Sequence, residues 1–470
     1  MWRLPLRFGL FAAALVMPGA APGQSIAPPS VPVVPARALG PAIDGGTRTT
    51  LALPADLPAT FAVDIPAGPH AGRLILTKYL VRASNSRVLV EDEPGRLTPV
   101  KPAPASTYRG TVEGVEGAQV AASIIDGQLH AIIFTPGGQT WGIEPAPNPD
   151  LANQHVVYTT ADMRASPGTC GLTTTPNPLD PDALIEAANV ELDEFRLQTL
   201  LWARIAFDAD YEYYNVNRRD PARVQAEIEL LLNATNLAYE RACRLSHVLG
   251  DIIIRTTEDD PYTGNDSVAL RDQFRAHWIG NHQGVSRDIA YMMSGRTFTD
   301  NHIGIAFLGG MCGSPHSGNG YAISASFVST FIQRVTLMAH ELGHTWNAEH
   351  CNQLDPPVTP CTIMCSAIDS CSPVGAPDFD PYSAAVIRQF AAGRTCLDPN
   401  SPIIWVDFNY SGSTPNGSYT TPFTTFNAAL AFAQPGQTIA IKGGSSNETT
   451  GRITTPLTLE AFPDATTIGR

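Results

Sequence analysis

The chain has 470 residues, a formal net charge of −14 and 43% hydrophobic residues, so it is too long for one ordinary core and is expected to form two or three domains. The acidic balance, with no clustered basic run, argues against nucleic acid or an anionic membrane surface as a partner. Six of the eight cysteines fall between Cys312 and Cys396, a distribution that suits an oxidising compartment and a disulfide-rich segment.

Residues 1–23 have the order of a signal peptide: basic residues to Arg7, an apolar run from Phe8 to Met17, then small residues to Gly23. Roughly ten apolar residues fall short of the roughly 20 that span a bilayer, and no later stretch is apolar enough, so a secreted protein without a membrane span is expected. Residues 24–60, rich in Pro, Ala and Gly, lack periodicity and are expected to be a disordered lead-in. A β-rich domain with its linker is placed at 61–170. There, short apolar runs such as Arg73–Leu76, Arg87–Val90, Ala118–Ile125 and Leu129–Phe134 alternate with Gly, Pro and Asp turns. Residues 145–180 read as linker around Cys170.

Between 183 and 398 the pattern becomes strand and helix in alternation, which predicts an α/β domain with a central sheet. Expected strands run over Leu201–Asp208, Val248–Arg255, Ile303–Leu308 and Tyr321–Ser326, and helices over Pro221–Arg244, Ser267–His282 and about Ser329–Trp346. Residues 401–470 return to β-type signals around one short helix and form a small separate module.

The last of those helices carries His340-Glu-Leu-Gly-His344. Two histidines four apart lie on one helix face and can bind one metal, with Glu341 in reach of a metal-bound water. His350 follows His344 by six residues, so three imidazoles can hold a zinc ion and leave its fourth position open, as catalysis requires. A straight helix cannot bring His350 onto the same ion, so the chain must turn sharply in between. Asn347 stands at the turning point, and Asn tolerates left-handed backbone better than any residue but Gly. Fourteen residues past His350, Cys361-Thr-Ile-Met364-Cys365 places an apolar thioether where it can floor the site. His277, His282 and His316 lack ligand spacing and read as surface or packing residues. A calcium ion is compatible with the sequence, but no calcium site is readable in it.

The long histidine pattern with Met364 resembles the metzincin zinc proteases. Gly304-Ile-Ala-Phe-Leu-Gly-Gly-Met-Cys312, with cysteines bracketing Met364, is similar to the adamalysin (reprolysin) branch over roughly residues 195–398. The resemblance implies an α+β zincin-like domain with a mixed twisted sheet, one catalytic Zn2+, and Glu341 as general base and acid. It implies that Met364 forms the Met-turn and that Cys312 pairs with Cys396. Cys351, Cys361, Cys365 and Cys371 supply two further bridges of undecided connectivity. It also implies an edge strand, Phe307, Leu308 and Gly309 included, on which an extended polypeptide substrate is laid.

Two departures from that branch stand out: Asn347 replaces the usual Gly, and Cys351 replaces the usual Asp after the third histidine. Tyr108–Gly114 and Thr140–Glu144 are similar to prodomains of the same branch, which implies a zymogen inhibited by its own prodomain. Cys170 has two readings: a cysteine switch whose thiolate takes the fourth zinc position, or a disulfide with Cys243, the only other cysteine outside the crowded six. Residues 405–470 resemble the opening coil of right-handed parallel β-helix proteins. The function expected is a secreted zinc endopeptidase; the alternatives are a metzincin-like binding protein without turnover, or an adhesion protein acting through the C-terminal module.

Overall fold

The computed structural model describes residues 43–66, 71–146, 153–164, 168–172, 200–313, 318–325, 329–354, 357, 362–367, 377–398, 401–442, 444–449, 453–462 and 466–469. The expected signal peptide, the first part of the lead-in, His316, Cys361 and Cys371 lie outside them.

The N-terminal region contributes β1 (Thr47–Thr50), β2 (Thr60–Ile65), β3 (Gly72–Lys78), β4 (Val88–Glu93), β5 (Arg96–Val100), β6 (Thr107–Val112), β7 (Val115–Ile125), β8 (Gln128–Phe134), β9 (Thr140–Pro145), β10 (Gln154–Thr159) and β11 (Thr169–Cys170). Eight of these form a sheet of order β1-β10-β9-β8-β7-β6-β3-β2, antiparallel throughout. Period-two alternation sorts its side chains. Val63, Leu74, Leu76, Val120 and Ile133 fill a core of its own, while Ala121, Ile132, Phe134 and Tyr158 face the next domain. Two expectations need correction. The lead-in is not disordered throughout, because Thr47–Thr50 pairs with Gln154–Thr159, and the linker contains β10 and β11. β1 and β11 carry no apolar pattern of their own and are held by a neighbour's ladder, whereas β10 has a short buried Val156–Tyr158 run between polar ends.

The following domain runs β12 (Leu201–Ala209), α1 (Tyr211–Val216), α2 (Pro221–Ala242), β13 (Leu245–Arg255), α3 (Ser267–Asn281), β14 (Ile289–Ser294), β15 (His302–Ala306), β16 (Tyr321–Ala325), α4 (Phe331–Thr345) and α5 (Pro381–Ala392). Its central sheet has the order β11-β15-β16-β14-β12-β13-β4-β5, and β15 runs antiparallel to β16 while β12, β13, β14 and β16 are parallel. Both edges of this sheet are therefore strands of the N-terminal region. β14 escaped the sequence reading because all six of its residues are buried, so no alternation marks it. Helix α3 covers one face through Leu270, Phe274 and Trp278, while α2 and α4 cover the other.

The β4–β5 hairpin is pinned by charge as well as by its ladder. Arg255 is 1% exposed and makes two hydrogen bonds to Asp208, at 3.0 and 2.7 Å, and a third to Glu91 of β4. Tyr262 and Trp278 each donate to Asp208 at 2.7 Å, so a guanidinium and two carboxylates are buried with their lone pairs satisfied. His282 stands 3.2 Å from Arg255 in this network and His277 lies beside it, in agreement with packing roles for both. No helix among the described residues is long and apolar enough to cross a membrane.

The C-terminal module has β17 (Ile403–Val406), α6 (Phe426–Phe432), β18 (Thr438–Ile441), β19 (Ser445–Ser446), β20 (Thr458–Ala461) and β21 (Thr467–Ile468). Strands β17, β18 and β20 stack in parallel, as do β19 and β21.

Candidate metal centre

Helix α4 starts with a reciprocal capping box: the Thr330 hydroxyl accepts from the Gln333 backbone N–H at 3.2 Å, and the Gln333 side chain accepts from the Thr330 N–H at 2.8 Å. The Glu144 carboxylate of β9 accepts from the Phe331 N–H at 2.6 Å, placing a negative charge at the positive end of the helix dipole. The helix ends where Asn347 turns left-handed, with φ of 72°, and its N–H donates to the His344 carbonyl at 2.9 Å. That single residue lets the chain double back so that His350 faces His340 and His344. Replacing Asn347 by Ala should cost about 1–2 kcal/mol in urea unfolding, the penalty of a Cβ in left-handed geometry, whereas Asn347→Gly should be close to neutral.

Three imidazoles converge. The Nε2 of His344 stands 2.9 Å from that of His340 and 3.1 Å from that of His350. Each Nδ1 is engaged elsewhere: His340 on the Ile363 carbonyl at 2.6 Å, His344 on the Ala348 carbonyl at 2.7 Å, His350 on the Gln353 side-chain oxygen at 3.0 Å. Oxygen acceptors fix the proton on Nδ1, so three Nε2 lone pairs point at one another. Burial pushes His340 down to about 3 and lowers His344 and His350 as well, which keeps the rings neutral, the form a metal binds. Lone pairs that face one another with no proton between them are satisfied by a cation, and three imidazoles suit zinc.

Glu341 is fully buried, its Oε1 has no protein partner, and burial pushes it up to about 8. Its carboxyl rests against Gly304 of β15, where a Cβ would overlap it. Gly343, two residues along the helix, lies against the Met364 sulfur with the same intolerance of a side chain. Met364 is completely buried beneath the helix, and its neighbour Ile363 supplies the carbonyl that orients His340.

Cys170 is brought to this point and not to Cys243. Its Sγ is 3.4 Å from His344 Nε2 and 3.8 Å from Glu341 Oε2, and together with the three histidines it offers four ligating atoms that lie within 4.8 Å of one another. Cys243 is buried in the main core, and the two form no disulfide. The strand that carries Cys170 is threaded through a slot. Thr169 and Gly171 donate to the Asn301 and Gly304 carbonyls at 3.2 and 2.9 Å, and Cys170 donates to the Ser366 carbonyl at 2.9 Å, just past Met364. The expected edge strand is thus covered by β11. It also ends early, at Ala306, because the chain must turn to meet the active helix. Gly309, with φ of 63°, donates to the His344 carbonyl at 2.9 Å, leaving Phe307, Leu308 and Gly309 beyond the strand proper.

Cys312 and Cys396 form a disulfide with Cα atoms 6.0 Å apart. Of the other bridge candidates, Cys351 and Cys365 are buried side by side with sulfurs 3.5 Å apart.

Several supporting residues were not read from the sequence. Gln353 orients His350. His247 accepts from Trp346 Nε1 at 3.1 Å and holds Asn236 of α2 at 2.8 Å through Nδ1. Tyr239 donates to the Ala339 carbonyl at 2.9 Å. Gln353, three residues past a ligand, carries a spacing signal; the partners on α2 carry none.

Comparison with known proteins follows this geometry. Residues 201–386 match the family model Reprolysin_5, metallo-peptidase family M12. Disintegrin and metalloproteinase domain-containing protein 19 of Mus musculus is 24% identical over 249 residues, covering 52% of this chain and 26% of that protein. The Homo sapiens protein of that name is 24% identical over 256 residues, 52% and 25% respectively. The chain thus spans about a quarter of the length of the curated relatives it matches.

Proposed function

Residues 201–386 being a reprolysin-like metzincin domain of metallo-peptidase family M12, we propose that the chain is a secreted zinc endopeptidase, made latent by its own N-terminal region. The observation that carries this reading is the convergence of three neutral Nε2 atoms beside a buried carboxyl that has one oxygen unpartnered. Zinc held by His340, His344 and His350 would polarise a scissile carbonyl and acidify its water. Glu341 takes the proton released and passes it to the leaving amine. A single carboxyl beside the open metal position can serve both transfers in turn.

The substrate is an extended polypeptide that pairs with β15. Support comes from β11, which already makes those main-chain bonds, so its departure exposes a sheet edge ready for β-augmentation. Cys170 holds the fourth metal position until then. Burial and the neighbouring Glu341 carboxyl push its thiol up, a penalty that a cation at the same point removes. The N-terminal apolar run and the cysteine content support export.

The test is hydrolysis of unfolded casein by the chain after the N-terminal region is removed, with and without a zinc chelator. Cleavage that is lost on chelation and restored by zinc supports the reading. A processed chain that binds zinc at one per molecule yet cuts nothing would make it a binding protein instead. Cys170→Ser should raise the activity of the uncut chain by on the order of tenfold while β11 still competes for the cleft, because the hydroxyl is a poorer ligand but the ladder remains.

A further inference from the structure

Strands β17 and β18 of the C-terminal module bury both of their faces. Ile404, Val406, Ile439 and Ile441 pack with Phe426 and Ala429 into the module's own core, while Ile403, Trp405 and Ala440, pointing the opposite way, join the large core that includes Tyr79, Leu80 and Val81. The outer face of an isolated coil would be polar. These three residues are 1, 2 and 0% exposed.

Several of the module's contacts reach the N-terminal region. The Tyr79 ring stacks on Trp405 at 5.8 Å and meets Tyr419 edge-on at 5.1 Å. Tyr419 Oη donates to the carbonyls of Thr77 at 3.0 Å and Arg109 at 3.4 Å, while the Lys442 ammonium lies 3.8 Å over its ring. Ser84 donates to the Gly436 carbonyl. Thr77, Tyr79, Ser84 and Arg109 all precede Cys170. The same region is gripped elsewhere by β4 in the central sheet with Glu91 on Arg255, and by Arg82 on Glu229 of α2.

We propose that the C-terminal module is a docking partner of the N-terminal region, which therefore stays bound when the chain is cut between residues 172 and 200. The consequence for activity rests on the reading of that region as inhibitory: Cys170 belongs to the retained piece, so one cut does not open the cleft. Opening requires a further cut within the N-terminal region or loss of the module's hold.

The experiment inserts a site-specific protease sequence among residues 173–199 of the full chain, cuts it, and follows the pieces by gel filtration and native mass measurement. The two pieces should co-elute in equal amounts. Dissociation, timed after dilution, should be roughly tenfold or more faster in the Trp405→Ala, Tyr419→Ala double variant, since buried aromatic anchors dominate such interfaces and act mainly on the off-rate. Tyr419→Phe, which keeps the ring and loses the two hydrogen bonds, should dissociate at an intermediate rate and serves if the double variant does not fold. Wild-type pieces that separate at micromolar concentration overturn retention; rates equal among wild type and variants overturn the module's part in it. Neither readout needs peptidase activity, so retention is tested by co-elution alone, and the peptidase reading by casein cleavage after the N-terminal region has been removed.

Discussion

Glu341→Gln in the processed chain should leave a folded protein with its full zinc content and lower casein hydrolysis by on the order of 10²–10⁴-fold, the usual worth of a positioned general base. The substitution is nearly isosteric. Among the described residues Glu341 makes no hydrogen bond to an imidazole nitrogen, and its carboxyl meets Cys170 Sγ at 3.8 Å, so the ligand set keeps its Nδ1 partners and its geometry. The amide can occupy the space beside Gly304 but cannot accept a proton. The measurement is a turnover rate paired with metal analysis on the same sample. Hydrolysis within a few-fold of wild type would assign the proton transfer to another group.

His344→Ala should give the complementary result, with activity and metal lost together. Sharing the roughly 10–16 kcal/mol of a four-ligand structural zinc site evenly among its ligands makes each worth about 2.5–4 kcal/mol, or roughly 10²–10³-fold in affinity. His344 is the middle ligand, with its Nε2 within 3.1 Å of both partner nitrogens. Its Nδ1 also holds the Ala348 carbonyl in the turn that returns His350, so its removal loosens a second ligand. Zinc titration against a competing chelator reads the loss directly. Wild-type zinc affinity in this variant would mean that the metal sits elsewhere.

The pair separates two proposed roles that a single loss of activity would merge: the carboxyl that would move a proton, and the imidazole that would hold the ion. The Asn347 substitutions probe a third link, the backbone turn, through stability in place of chemistry.

Much of the candidate site's geometry was legible because it is encoded locally. Residues four apart on a helix share a face whatever surrounds them, and Asn347 announces a left-handed residue by its own conformational preference. Strand limits were read to within a few residues wherever polar residues or turns bound an apolar run, as at Leu201–Ala209 and Tyr321–Ala325. β14 was missed because burial on both faces erases the alternation that reveals a strand. Thr47–Thr50 was missed for the opposite reason, since it has no apolar pattern and exists through its partner strand.

Local pattern by itself thus determined the three histidines, their neighbouring carboxylate, and the turn that must bring His350 back, because each depends on backbone geometry over at most ten residues. Tertiary structure alone decided what meets them: β11 in the cleft in place of a Cys170–Cys243 bridge, His247 and Asn236 behind Trp346, the hairpin that carries Glu91 to Arg255, and Trp405 stacked on Tyr79. Apart from the His247–Asn236 contact, those pairings join residues about 100 to more than 300 positions apart. Which of many chemically similar surfaces such segments choose is set by the shape and burial of the whole molecule, a property that no short stretch of chain contains.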